Sequence, residues 1–221
     1  NPACSCLDRA DLDELAALLR GRNCLVLSDE VYEHMVYDGA RHESVLAHVE
    51  LRERSVAVYS FGKTLHATGL RIGYAVAPPV LTVELRKVHQ YNTFTIATCL
   101  QHAIAAYLLE HPDTGADLPG FFQAKRDRFA ALLEGTGLRL LRSAGSYFQL
   151  ADYADLDKRG DVELASALIE EAGVATIPLS VFYREPPPMQ LLRLCFAKRE
   201  ATLVEGAARL RQWAHGRGTI R

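Results

Sequence analysis

Between residues 60 and 74 the sequence runs SFGKTLHATGLRIGY. It holds one lysine, Lys63, and eight residues further one arginine, Arg71, among small and apolar side chains. A lysine amine can bond to a carbonyl carbon or pair with an anion, and a guanidinium forks a phosphate or carboxylate. Ser60 adds a hydroxyl three residues before the lysine, and Gly62 leaves room for a bulky group against the backbone. Arg71 stands between Gly69 and Gly73 at the entrance to an apolar run, where a guanidinium is costly unless an anion pairs with it. Upstream, SDEVY at 28–32 sets a carboxylate, Asp29, and a phenol, Tyr32, just past another apolar run.

GKT at 62–64 resembles the close of a phosphate-binding loop. That loop needs a glycine five residues before the Gly-Lys pair, and Ala57 stands there. The plain alternative is a solvated loop lysine and a surface arginine. One cofactor uses the whole set. Pyridoxal 5'-phosphate wants a lysine for its aldehyde, an arginine and a hydroxyl for its phosphate, a carboxylate at its pyridine nitrogen and a donor at its 3′-oxygen. Lys63, Arg71 with Ser60, Asp29, and Tyr32 with Asn1 match these in turn.

Elements must bring these residues together. Short apolar runs at 24–28, 56–60 and 72–77 read as strands, the first of them buried. Helical periodicity covers 8–21, 80–91, 97–110 and 119–135, with Asp8 as N-cap and Gly21 as stop for the first. From residue 138 strands dominate (LRLLR, SYFQLADY, VATIPL, LLRLCFA), broken by a helix at 161–172 and closed by one at about 200–215. The spacing predicts an α/β layer over 1–115 and a smaller α+β unit over 116–221. In open α/β sheets chemistry gathers at the carboxyl ends of strands. Asp29 follows one strand and Lys63 lies three residues past another, so both are expected at one edge of one sheet.

S-F-G-K-T-x5-G-L-R-I-G-Y resembles the lysine signature of the class I/II aminotransferases, fold type I enzymes of pyridoxal phosphate, nearest to their methionine and kynurenine branch. SDEVYEHMVYDG resembles the family segment that carries the ring-nitrogen aspartate and the tyrosine to the 3′-oxygen, here Asp29 and Tyr32. LLRLCFAK at 191–198 resembles the strand whose arginine, here Arg193, grips the substrate α-carboxylate. The resemblance runs from residue 1 to about 213. It implies a mainly parallel sheet with flanking helices, a small C-terminal domain, and catalysis by Lys63, Asp29 and Tyr32. It implies cofactor contacts from Asn1, Asp29, Tyr32, Ser60, Lys63 and Arg71. Amino-acid and 2-oxo-acid substrates and a homodimer follow from it too.

The family's N-P-T-G turn aligns with Asn1-Pro2-Ala3-Cys4, and the family's N-terminal half has no counterpart. Three outcomes follow: an aminotransferase, a silent truncated or split chain completed by a separate N-terminal half, or a C–S β-lyase at the same site. YNTFTIATC at 91–99 carries no cation to read a distal acid. Phe94 and Ile96 either favour a neutral or aromatic amino acid or belong to the core. His66 and His89 read as structural, Asp152 and Asp155 as a solvated loop, and Pro186-Pro187-Pro188 as a stiff connection before the Arg193 strand.

The bulk properties fit this and exclude other classes. The chain has 221 residues, a formal net charge of -2 and no long basic run, which leaves nucleic acid or a membrane surface without electrostatic support. Five scattered cysteines suit a reducing, cytoplasmic setting better than a disulfide framework, and Cys4-x-Cys6 lacks the partners of a metal site. The longest apolar stretch, IATCLQHAIAAYLL, is too short to span a bilayer, and the opening NPACSCLDRADLDELAALL is not a secretory pattern.

Overall fold

Asp8 opens the first helix as a capping box: its carboxylate accepts the Asp11 N–H at 3.0 Å, and its own N–H donates to the Asp11 carboxylate at 2.8 Å. A computed structural model describes residues 3–216 of the chain. They fall into two units, Cys6–Pro119 and Gly120 onward, the latter joined by the short stretch that ends at Ser5. Asn1 lies outside the described residues.

The first unit contains α1 (Arg9–Leu19), β1 (Val26–Asp29), α2 (Val49–Arg52), β2 (Ser55–Ser60), α3 (Phe61–Thr64), β3 (Gly73–Val76), α4 (Pro79–Asn92) and α5 (Thr98–Glu110). Its sheet has the order β1-β2-β3. β1 and β2 are parallel, with Asp29 opposite Val58. β3 runs back against β2, with Gly73 opposite Ser60, so the sheet is mixed. Alternation along β2 turns Ala57 and Tyr59 toward a core of Leu12, Ala16, Val45 and Leu51, and Val58 and Ser60 to the other face. The expected burial of the 24–28 strand does not hold: Leu25 is 66% and Leu27 74% exposed. β3 is exposed along its whole length. Hydrophobicity sets what a strand can bury, but burial needs an element packed against it, and none of the described elements covers these residues.

The second unit contains all but the first two residues of α6 (Leu118–Leu133), and β4 (Arg139–Leu140), β5 (Phe148–Asp152), α7 (Asp161–Ala172), β6 (Ile177–Pro178), β7 (Leu191–Cys195) and α8 (Glu200–Gly216). The strands form an antiparallel sheet in the order β4-β5-β7-β6. Leu192 and Leu194 of β7 line one small cavity together with Leu164, Leu168, Leu210 and Trp213 from the two helices. Asp161 at the start of α7 accepts from the Ser180 N–H at 2.7 Å and its hydroxyl at 2.6 Å, which ties the helix to the turn after β6. Asp152, expected in a solvated loop, instead ends β5 and pairs with Arg139 across the β4–β5 ladder, whereas Asp155 is exposed.

Candidate active site

The parallel pairing of β1 and β2 puts Asp29 and the segment after Ser60 at the same, carboxyl end of the sheet. Because β3 is antiparallel, its first residue, Gly73, also lies there, paired with Ser60. One sheet edge therefore collects Asp29, Ser60, Lys63 on α3, and Arg71 two residues before Gly73. Strand alternation places Asp29, Val58 and Ser60 on one face.

Each segment is shaped locally. Glu33 N–H donates to the Glu30 carbonyl and Met35 N–H to the Tyr32 carbonyl, at 3.0 and 2.8 Å, which curls the chain after β1 into a turn. Met35 and Tyr37, both 1% exposed, anchor that turn. The turn brings the Tyr32 ring to Lys63, whose Nζ lies 5.7 Å from the ring centre. After α3 a single 3-10 turn, Thr68–Leu70, leads into Arg71, which adopts the left-handed conformation at φ +53°. That conformation is unusual for a side chain with a Cβ, and it turns the chain into β3.

Two expectations about this segment need correction. Arg71 is exposed rather than buried, with Nη1 donating to the Thr68 carbonyl at 2.9 Å, so desolvation does not force an anion onto it. Gly62 does not leave open room: a Cβ there would lie 3.1 Å from Thr68 Cα and 3.2 Å from Ser60 Oγ. The glycine lets the turn fold tightly onto itself. Gly73 is under stronger constraint still, since a Cβ would come within 2.3 Å of the Tyr59 carbonyl oxygen.

The sequence reading missed a buried network under this edge. Glu30, next to Asp29 but on the opposite face, is 4% exposed. Its carboxylate accepts from the Tyr59 hydroxyl at 2.8 Å, Ser28 Oγ at 3.0 Å and the Val45 N–H at 3.1 Å, and it contacts His42 Nε2 at 3.0 Å. Burial pushes this carboxyl up, but the hydrogen bonds from His42, Ser44, Tyr59 and Val45 outweigh it and hold it at about 2, below the usual 4.5. The available signal was alternation: Ser28 and Glu30 share a parity that Asp29 does not. Desolvation raises Glu33 nearby, and desolvation together with the Glu30 and Glu33 carboxylates raises Tyr74.

His66 is exposed at φ +52° and lines a cleft of about 450 Å³ with Leu65, Tyr107, His111 and Leu118. His89 is exposed on α4. Phe94, 76% exposed at φ +66°, is not a core residue; Ile96 is half-buried.

In the second unit Arg193 sits mid-strand on β7, opposite Leu150 and Ile177, and is 8% exposed. Its guanidinium stacks on Phe148 at 4.1 Å and Phe182 at 5.1 Å. These ring contacts restrain the guanidinium. Pro186-Pro187-Pro188 is an exposed connection before this strand.

A lysine turn at the carboxyl end of a parallel pair, an antiparallel strand beside it and a separate antiparallel α+β unit define part of the fold type I architecture of pyridoxal-phosphate enzymes. The chain belongs to the family described as Aminotransferase class I and II, which matches residues 1–210. It is 48% identical over 212 residues to methionine aminotransferase of Escherichia coli, covering 96% of this chain and 55% of that protein. It is 32% identical over 234 residues to kynurenine–oxoglutarate transaminase 1 of Homo sapiens, covering 96% and 56%. A crystal structure of an Escherichia coli methionine aminotransferase superposes with a TM-score of 0.92 at 48% identity, over 96% of this chain and 56% of that one. N-succinyldiaminopimelate aminotransferase from Mycobacterium tuberculosis superposes at 0.89, with 34% identity and 96% and 56% coverage. The chain thus spans little more than half the length of the relatives it matches. Among the described residues, no helix is long and apolar enough to cross a membrane.

Proposed function

We propose that this chain carries the lysine-bearing part of a pyridoxal-phosphate-dependent aminotransferase that moves an amino group from a neutral or aromatic L-amino acid to a 2-oxo acid. The observation that carries the reading is the convergence of Asp29, Ser60, Lys63 and Arg71 at one sheet edge, made possible by the reversal of β3. The donor set fits the cofactor: an amine, a hydroxyl with a guanidinium, and a carboxylate, with the Tyr32 ring beside the amine.

Lys63 Nζ would hold the aldehyde, Ser60 Oγ and the Arg71 guanidinium the phosphate, and Tyr32 the 3′-oxygen. Asp29 would keep a proton on the pyridine nitrogen. When bound, pyridoxal phosphate supplies the electron sink that makes a Cα–H bond of the amino acid acidic. Lys63 Nζ would be the base that takes the Cα proton and later returns it. Arg193 is the carboxylate grip, because a stacked guanidinium fixes both position and orientation. The methionine aminotransferase function identified for the Escherichia coli relative and the lack of a cation in 91–99 support a neutral side chain. A homodimer and a cytoplasmic setting complete the reading.

The test is reduction of the chain with borohydride in the presence of pyridoxal phosphate, followed by peptide mass spectrometry. A stoichiometric adduct on Lys63, absent in Lys63→Ala, is expected. Adducts scattered over surface lysines would overturn the reading. Amino donors then distinguish transfer, which yields pyridoxamine phosphate, from C–S cleavage, which yields pyruvate and ammonia.

A further inference from the structure

The proposed cofactor groups come from separate segments: Tyr32 from the turn after β1, Ser60 and Lys63 from the end of β2 and α3, and Arg71 from the turn before β3. Among the described residues no ladder joins the first segment to the last, because β2 stands between β1 and β3. Side chains must therefore hold the groups at a common spacing, and a displacement of about 1 Å is enough to spoil such a site.

Tyr74 touches every one of these segments. It is the second residue of β3, three beyond Arg71, and it pairs with Tyr59 across the ladder while Gly73 pairs with Ser60. Its ring stacks on that of Tyr59, with centroids 4.8 Å apart and planes 15° from parallel. It also leans on Phe61, at 5.1 Å and 40°, and Phe61 opens α3 two residues before Lys63. Its hydroxyl is hydrogen-bonded to the carboxyl of Glu33, the neighbour of Tyr32. Tyr59 donates to Glu30 at 2.8 Å, so two tyrosine–glutamate pairs hold the turn after β1 from the face of the sheet opposite Asp29 and Ser60. At 43% exposure Tyr74 adds little to the core. A β-branched residue would suit an exposed strand as well, but would neither stack on both rings nor reach Glu33.

We propose that Tyr74 is a positioning residue for the cofactor site: from beneath the sheet edge it holds Arg71 and Lys63 in register, so that one molecule can meet the guanidinium with its phosphate and the amine with its aldehyde. The inference rests on the pyridoxal-phosphate reading of Lys63 and Arg71 and adds the residue that aligns them.

Pyridoxal carries the same aldehyde as pyridoxal phosphate and lacks the phosphate. The ratio of the concentrations of the two that half-label Lys63 under borohydride reports how well the phosphate contact is aligned with the amine. Loss of folded chain moves both concentrations alike and leaves the ratio unchanged. The parent chain should prefer pyridoxal phosphate. Tyr74→Leu removes both the ring and the hydroxyl and should cut that preference about tenfold. Tyr74→Phe keeps the stacking and should restore most of it. Leu51→Val, at a core site that is 0% exposed, should lower stability and leave the preference as it was. Where Tyr74→Leu does not fold, Phe61→Leu breaks the same ring contact from α3 and should lower the preference in its place. An unchanged preference in folded Tyr74→Leu, or in Phe61→Leu where that variant stands in, overturns the inference and leaves the cofactor reading intact. So does an equal fall in Leu51→Val. No Lys63 adduct in the parent, or an adduct without preference for the phosphate form, overturns the inference together with the reading it rests on.

Discussion

The Tyr59 hydroxyl donates to the Glu30 carboxylate at 2.8 Å, on the face of the sheet opposite Asp29. Two adjacent carboxylates thus take different tasks. Asp29 faces the open edge, and Glu30 clamps the turn after β1 onto β2. The sequence separation of 29 residues makes this a link between two strands and not a local turn contact.

Glu30 makes the stability of the first unit depend on pH. Its carboxyl is held at about 2 in the folded chain against an ordinary 4.5. A depressed carboxyl contributes stability that is complete above the unfolded value and is lost as pH falls through the folded one. Glu30→Gln should therefore destabilise by about 2 kcal/mol near neutral pH. The gap to the parent should narrow below about pH 4.5. Urea unfolding across that range checks this, and a gap that stays constant with pH would refute it.

Gly73→Ala should detach β3 from β2. The added methyl carbon would meet backbone, 2.3 Å from the Tyr59 carbonyl oxygen, and backbone cannot rotate away. A loss of about 2 kcal/mol or more is expected. Thermal unfolding reads the loss, and faster amide exchange at Gly73–Val76 shows where it arises. A variant as stable as the parent would mean that the strands have slack.

Arg71→Gly separates conformation from chemistry. Glycine adopts φ +53° without strain, which offsets the lost hydrogen bond to Thr68 and the added freedom of the unfolded chain. Stability should stay within about 0.5 kcal/mol. Labelling of Lys63 by pyridoxal phosphate should nevertheless require a higher cofactor concentration, by about tenfold, because a charge-assisted phosphate contact is gone. Unchanged labelling would remove Arg71 from the phosphate site.

Arg193→Lys should act on substrate alone. Lysine keeps the charge but loses both the fork and the stacking on Phe148 and Phe182. Amino-acid affinity should fall about tenfold or more, with Lys63 labelling unaltered. Calorimetric titration with methionine on the labelled and unlabelled chain separates the two readouts. Equal loss of both would point to a folding defect.

Local pattern was enough to read most elements. The helix expected at 161–172 is α7 (Asp161–Ala172), and the 56–60 strand is β2 with one residue added. Helical periodicity and short apolar runs are properties of neighbouring residues, and so they survive in the chain order alone. The family, too, was legible, because its chemistry requires particular side chains at particular spacings around Lys63. Direction was not. A run such as IGYAVA says strand, but nothing in its composition says that it returns antiparallel to β2. The left-handed Arg71 and the close approach at Gly73 decide that, and with it the arrival of Arg71 at the edge that holds Asp29 and Lys63.

Burial and long-range pairing were likewise outside the reach of order and composition. Leu27 has the side chain of a core residue and stands 74% exposed, while Glu30 has that of a surface residue and is 4% exposed. Hydrophobicity is carried by a residue, but its burial belongs to whatever is packed against it. A charge enters the interior only where distant donors, here Tyr59, His42 and the Val45 N–H, converge to replace water.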